Sequence, residues 1–155
     1  MAEKEIKNVF VSHYHEDEES IKSMKELLGD DYSIRNYSVT SDKYNRAQNE
    51  DYIKSLLRPL INEVSTFICL IGPETHDSEW VDWEIKEAER LGKQIIGVYI
   101  YGAKDSDIPP ALEEFADAIV GWRRDSIINA MKGVSAFEKA DGTIRNNVAG
   151  SRVTC

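Results

Sequence analysis

Two nearly continuous apolar runs, residues 66–72 and 94–101, flank an amphipathic stretch in the middle of the chain. Within that stretch, Val81, Ile85 and Ala88 recur at the spacing that places side chains on one face of a helix. Continuous apolar runs are typical of strands in a parallel sheet, because helices cover both faces of such a sheet. The pattern therefore predicts a central strand–helix–strand unit whose two strands are parallel.

The same alternation of apolar runs and amphipathic segments extends to both sides of this unit. It predicts further strands at 6–12, 32–39 and 118–122, and further helices at 17–28, 50–62, 110–116 and 125–132. We expect the Ser78 hydroxyl to cap the central helix, and Gly29 and Gly133 to end the helices that precede them. Pro59 is expected to bend or shorten its helix, because proline removes a helical hydrogen bond.

Five strands that alternate with helices predict an α/β fold. We expect a five-stranded parallel sheet with helices on both faces, in the flavodoxin-like strand order 2-1-3-4-5. Residues 1–133 are predicted to form this domain. Residues 134–155 are polar and lack a clear period, so we expect them to be a C-terminal extension or tail.

Composition narrows the class of protein further. The 155 residues carry 28 acidic and 19 basic side chains, for a formal net charge of -9, and such an acidic surface repels the phosphates of nucleic acid. The N-terminus lacks the apolar core of a signal peptide, and no run reaches the ~18 apolar residues of a membrane helix. The two cysteines, Cys69 and Cys155, give no disulfide framework or zinc spacing. We therefore expect a cytoplasmic protein with no nucleic-acid or membrane partner.

Glu84 is the residue of the central helix that most needs an explanation. It lies at the edge of the predicted buried face, next to Trp83 and one turn after Trp80, where its carboxylate is expected to be partly desolvated. A structural explanation is that the carboxylate complements the helix dipole while its stem packs on tryptophan. A functional explanation is that the helix starts beyond the carboxyl end of a central strand, where open parallel sheets bind ligands. Glu87, by contrast, is expected to be solvated.

Motifs of other ligand-binding proteins on this scaffold are missing. The loop after the first predicted strand, residues 12–16, has no glycines that would let the backbone approach a pyrophosphate. A phospho-acceptor receiver would have an aspartate at the end of the third strand, where this chain has Gly72 and Pro73. These absences exclude a dinucleotide fingerprint, a P-loop and a receiver domain.

Four short segments, at 8–12, 71–75, 78–84 and 92–98, together resemble the boxes of one family. They resemble, in the right order, the TIR-like domain family that includes the bacterial Thoeris antiphage proteins. The resemblance covers roughly residues 6–122. The loop at 41–44 does not resemble the loop through which receptor TIR domains meet their adaptors, which argues against an animal-type adaptor role.

The resemblance implies an enzyme that cleaves NAD at the nicotinamide–ribose bond and releases or cyclises ADP-ribose as a signal in antiphage defence. In that family the catalytic acid is the glutamate of the helix after the third strand, which corresponds to Glu84. NAD is then the substrate, and no separate cofactor or metal is expected. The resemblance also implies a homo-oligomer that assembles through TIR-like contacts, and an effector that responds to the nucleotide product.

Several polar and aromatic side chains should meet at the edge of the sheet where the strands end, and we predict that they bind the substrate. Tyr14 or Trp80 could stack on a base, and Ser12 could donate to phosphate. The full set of predicted substrate-binding residues is Ser12, His13, Tyr14, Arg35, Lys43, Arg46, Trp80 and Trp83.

Two alternatives to the NAD-cleaving enzyme remain open. One is a non-catalytic TIR-like module that binds a protein partner or a nucleotide. The other is a metal-dependent hydrolase with His13, His15 and His76 as zinc ligands, although such histidines are more often ordinary polar loop residues.

Overall fold

The structure, a computed structural model, describes residues 7–13, 19–29, 32–35, 50–73, 75, 78–100 and 103–139. Strands and helices alternate along these residues as predicted. The strands are β1 (Lys7–Ser12), β2 (Tyr32–Arg35), β3 (Thr66–Ile71), β4 (Gln94–Tyr99) and β5 (Ala118–Val120). The helices are α1 (Glu19–Leu28), α2 (Glu50–Glu63), α3 (Glu79–Arg90), α4 (Pro110–Phe115) and α5 (Arg124–Met131).

The strands form one parallel sheet in the order β2-β1-β3-β4-β5, which confirms the predicted fold class. Helices cover both faces. One face packs on α1 and α5 through Met24, Leu28 and Ile127. The other packs on α2, α3 and α4, through residues that include Ile85 and Leu112.

Strand β1 shows how the alternation of side chains positions the candidate site. Val9 and Val11 point into the layer that contains α1 and α5. Phe10 points to the opposite layer, where its ring stacks on Phe67 at a centroid distance of 5.5 Å. Successive side chains of a strand alternate between faces, so Ser12 lies on the same face as Phe10, towards α2 and α3.

Helix α3 begins as its sequence predicts. Ser78 has an extended backbone, and its hydroxyl oxygen accepts a hydrogen bond from the Val81 amide at 3.2 Å. This bond satisfies one of the backbone donors left free in the first turn. The predicted glycine stops of two other helices are also confirmed, because Gly29 and Gly133 have φ angles of 78° and 100°.

Of the two effects expected of Pro59, a bend or a shorter helix, the structure excludes the shorter helix. Helix α2 runs through this proline to Glu63, one residue beyond the predicted end. Leu57 and Ile61 are both fully buried, whereas Pro59 is exposed. Packing on both sides of the proline therefore holds the helix in place although one of its hydrogen bonds is missing.

Part of the predicted C-terminal extension lies against β5. Ile119 and Phe137 form a parallel bridge. The Ile119 amide donates to the Ala136 carbonyl at 2.8 Å, and the Glu138 amide donates to the Ile119 carbonyl at 2.7 Å. Phe137 and Glu138 are buried, so the sheet edge at β5 is covered by this segment. The boundary at residue 133 stays a prediction.

Candidate active site

Glu84 lies in the middle of α3 and is only 1% exposed, so it is buried more completely than the sequence predicts. Its Oε1 atom accepts a hydrogen bond from the Ser12 hydroxyl at 2.5 Å. Ser12 is the last residue of β1, which pairs with β3 so that Ser12 lies opposite Cys69. The carboxyl group is thus held near the edge of the sheet where the parallel strands end.

Burial raises the pKa of Glu84 from its ordinary value of 4.5 to about 8, and the hydrogen bond from Ser12 acts in the opposite direction. Burial favours the neutral acid because a charge loses its hydration, whereas a donated hydrogen bond favours the carboxylate. The site therefore holds an acid that is mostly neutral at pH 7 and that a nearby positive charge would ionise.

The second carboxyl oxygen, Glu84 Oε2, is buried and has no hydrogen-bond partner among the residues that the structure describes. Buried polar atoms are nearly always paired, and an unpaired one destabilises the fold by roughly 1–3 kcal/mol. A ligand with a hydroxyl donor could satisfy this atom. The two oxygens therefore differ, since one accepts a hydrogen bond from Ser12 and the other has no partner among the described residues.

Trp80 and Trp83 are half-buried, and their rings meet edge-on at a centroid distance of 6.2 Å and an angle of 81°. Two cations from α2 lie over the Trp83 ring, with Lys54 Nζ at 5.6 Å and Arg58 Cζ at 5.7 Å from its centroid. Trp83 is thus part of the contact between α2 and α3. The predicted substrate contacts of both tryptophans stay predictions.

The expectation that Glu87 is solvated is wrong. Its residue is 6% exposed, and its carboxylate binds Arg90 on the same helix and Arg58 Nε on α2 at 3.2 Å. The hydrogen bond from Arg90, together with both arginine charges, lowers the pKa of Glu87 despite partial desolvation. Spacing along α3 alone could not reveal this, because Arg58 reaches it from a neighbouring helix.

The other predicted site residues are only partly described. His13 follows Ser12 at the end of β1 and is buried at 3% exposure. Arg35 ends β2, but its side chain lies outside the described residues. Tyr14, Lys43 and Arg46 also lie outside them, as do His15 and His76.

Of the predicted site residues, the structure brings Ser12 into contact with Glu84. The described part of the chain contains no group of three or more potential ligands that could hold a metal ion. It also contains no helix with the length and apolar character needed to cross a membrane.

Sequence reasoning missed two roles at this site. It placed Ser12 near a phosphate, whereas the hydroxyl donates to Glu84, and it gave no role to Arg58. The alternation of Phe10 and Ser12 is a usable signal for the first, since both must face the same layer. Which helix occupies that layer depends on the crossover connections of the whole sheet.

Comparisons with known proteins agree with this architecture. Among solved structures, the CMP N-glycosidase BcmB of Clostridium botulinum is similar in fold, with a TM-score of 0.52 and 18% identity. The alignment covers 81% of this chain and 98% of that one. No curated protein matches the chain.

A family match is more specific than this likeness of fold. The model of the family described as "Thoeris protein ThsB, TIR-like domain" matches residues 10–105. The matched range runs from β1 past β4, and includes both Ser12 and Glu84. Because the match covers more than half of the 155 residues, the chain belongs to the ThsB TIR-like family of Thoeris proteins.

Proposed function

We propose that this protein cleaves NAD at the nicotinamide–ribose bond and makes an ADP-ribose-derived signal, linear or cyclic, in bacterial antiphage defence. One observation carries the proposal: a buried glutamate, Glu84, is held through one oxygen, and its other oxygen has no partner among the described residues. Membership of the ThsB TIR-like family supports it. The CMP N-glycosidase BcmB has a similar fold, and N-glycosidase chemistry is therefore compatible with this scaffold.

The reaction needs no acid to protonate its leaving group. When the C1′–N bond of NAD breaks, the electron pair stays on the ring nitrogen, and the cationic pyridinium leaves as neutral nicotinamide. The positive charge passes to the ribosyl centre, which becomes oxocarbenium-like. Water then adds at C1′ and loses a proton, which gives ADP-ribose, or a nucleophile of the ADP-ribosyl group itself closes a cyclic product.

Glu84 can assist this step in two ways. As a carboxylate it would stabilise the developing positive charge, and the effect is stronger in a desolvated site than in water. Its Oε2 atom would also accept a hydrogen bond from a ribose hydroxyl and so orient the sugar. The fixed cationic ring of NAD favours the ionised form of Glu84, since an opposite charge lowers the pKa of a carboxyl group.

The proposed enzyme has a defined substrate requirement, compartment and assembly. NAD is the substrate, and the chemistry above requires neither a separate cofactor nor a metal ion. We place the enzyme in the bacterial cytoplasm, as a homo-oligomer assembled through TIR-like contacts that acts on its effector through the nucleotide product.

The test is to incubate the purified protein with NAD or with CMP, alone and with lysate of phage-infected cells, and to identify the products by mass spectrometry. We expect the wild type to release nicotinamide and an ADP-ribose-derived nucleotide from NAD, and the Glu84→Gln protein to release neither. Cleavage of CMP alone would point to a mononucleotide N-glycosidase instead. A folded, assembled protein that cleaves neither substrate would contradict the proposal and favour the binding module.

A further inference from the structure

We propose that Ser12 is a positioning residue. Its hydroxyl orients the Glu84 carboxyl group and favours the ionised form of that group. The catalytic consequence of this assignment rests on the proposed function. The assignment itself concerns two side chains of this chain, and it can be measured without any substrate.

The contact between the two side chains is isolated from solvent. Ser12 is 0% exposed and Glu84 is 1% exposed, and the Oγ–Oε1 distance of 2.5 Å lies at the short end of the range for hydroxyl donors. The two residues are 72 positions apart in sequence, so the bond directly joins the end of β1 to the middle of α3.

The Ser12 hydroxyl supplies a hydrogen-bond donor that an apolar residue at this position would lack. Phe10, on the same face of β1, packs in the apolar layer with Phe67, and an apolar residue at position 12 would extend that layer. A serine instead brings one donor proton to the carboxyl group. Among the described residues, Glu84 Oε1 is the acceptor of that proton.

Two consequences follow for Glu84. First, a carboxyl group anchored through Oε1 cannot rotate freely, so Oε2 keeps one direction in which a ligand can be bound. Second, the donated bond lowers the pKa of Glu84 against the larger effect of burial. Ser12 thereby increases the fraction of molecules whose carboxyl group is ionised near neutral pH.

Other ionisable groups lie on the elements packed around this face, and the experiment must separate their effects from that of Ser12. Glu87 is already paired with Arg58 and Arg90. The ionisable groups on the surrounding elements include His13, Lys54, Arg58, Cys69, Glu87 and Glu113. None of them is changed in the variants proposed below.

The test compares Ser12→Ala, Ser12→Thr and a matched control, Ser78→Ala. The control removes a different serine hydroxyl that contacts the same helix, because Ser78 caps α3 without contacting Glu84. Loss of either serine can lower stability, so a change in folding alone does not distinguish them. Two readouts do: the pH dependence of kcat/KM, and the infrared titration of the Glu84 carboxyl group, identified by its absence in Glu84→Gln.

We expect Ser12→Ala to move both midpoints to higher pH by roughly one to two units, because hydrogen bonds to charged groups are stronger than neutral ones. At pH 7 its kcat/KM should be about 10- to 100-fold below that of the wild type. Ser12→Thr keeps the hydroxyl and should retain most of the wild-type midpoint. Ser78→Ala should keep that midpoint even if its melting temperature falls.

Each outcome decides a separate question. Equal carboxyl midpoints in Ser12→Ala and Ser78→Ala would overturn the assignment. If the wild type cleaves no nucleotide, the proposed function fails, and the infrared titration alone then supports or overturns the role of Ser12. A carboxyl midpoint that shifts in Ser12→Ala and returns towards the wild-type value in Ser12→Thr would support the role of Ser12, whether or not the wild type cleaves a nucleotide.

Discussion

Glu84 combines burial with one hydrogen bond from the described residues, and this combination is suited to the proposed reaction. Its raised pKa keeps Glu84 itself mostly uncharged at neutral pH, which avoids most of the penalty of burying a charge. A cationic substrate would restore the charge where it is needed. Substrate binding and ionisation of Glu84 should therefore favour each other, as linked equilibria must.

The pH dependence of activity follows from this linkage. Below pH 8 most of the free enzyme has a neutral Glu84, so kcat/KM for NAD should rise by about tenfold per pH unit and level off above the pKa. Measured kcat should show a lower midpoint, because bound NAD favours the ionised acid. A rate that is flat between pH 6 and 9, or that falls as pH rises through 8, would contradict a carboxylate mechanism.

Stability should have the opposite pH dependence. The pKa of Glu84 is about 8 in the folded protein and ordinarily 4.5, so its contribution is fully present below pH 4.5 and is lost as pH rises towards 8. The loss is at most about 1.4 kcal/mol per pH unit. Glu84→Gln cannot ionise, so the variant should become more stable than the wild type at pH 8.5.

Chemical denaturation at pH 5, 7 and 8.5 measures this difference directly. Glu87→Gln is the control, because arginines lower the pKa of Glu87 and its ionised form stabilises the fold at neutral pH. That control should be less stable than the wild type at pH 7. If the difference in unfolding free energy between the wild type and Glu84→Gln is the same at all three pH values, burial does not raise the pKa of Glu84.

At the scale of elements, Arg58 joins α2 to α3 on both sides of Glu84. Its guanidinium lies over Trp83, the residue before Glu84, and its Nε contacts Glu87, one turn after it. Arg58→Ala should lower the free energy of unfolding by about 1–2 kcal/mol, since it removes a cation–π contact and half of the pairing of a buried carboxylate. The expected loss of stability is small because the Arg58 side chain is about half exposed, so water screens its charge.

Lys54→Ala provides the matched comparison for this prediction. Lys54 also lies over the Trp83 ring, but no ion pair of the described residues joins it to Glu87. Lys54→Ala should therefore lower the free energy of unfolding by less than Arg58→Ala does, in denaturation measurements at the same ionic strength. Equal losses would mean that the contact of Arg58 with Glu87 contributes nothing measurable.

Element boundaries were predictable to within a few residues where local signals were strong. The Ser78 cap and the glycine stop at Gly133 depend on neighbouring residues alone, and both are confirmed. The continuation of α2 beyond Pro59 and the burial of Glu87 were not predicted, because packing between helices outweighs the local sequence signals at these positions. The contact of Ser12 with Glu84 was not predicted, because it depends on which face of β1 lies beneath α3.

At the scale of the whole molecule, the right-handed crossover rule accounts for the two helix layers. The connection from β1 to β2 runs in one direction across the sheet, and the later connections run in the other, so α1 lies opposite α2, α3 and α4. The strand order was therefore predictable from the alternation of elements. The pairing of residues 136–138 with β5 was not, because this short segment has no distinct period.

This C-terminal segment should stabilise the whole domain. The Glu138 carboxylate accepts from the Gly121 amide at 2.9 Å, and its carbonyl accepts from the Tyr99 hydroxyl at 3.1 Å. A chain that ends after residue 133 would leave these buried donors unpaired and expose the edge of β5.

A comparison of chains that end after residue 133 and after residue 139 tests the prediction. The shorter chain should lose at least about 2 kcal/mol of stability relative to the longer one and should aggregate more readily. Both lack residues 140–155, so the difference reports on 134–139 alone. Equal denaturation midpoints would support a domain boundary at residue 133.

The measurement that tests the central claim most directly is nicotinamide release from NAD by the wild type, Glu84→Gln and Glu87→Gln, assayed side by side with lysate of phage-infected cells. We predict release by the wild type and by Glu87→Gln at rates within about tenfold of each other, and a loss of at least roughly 100-fold in Glu84→Gln. Release that survives in Glu84→Gln would contradict the account, as would a folded wild-type assembly that releases no nicotinamide.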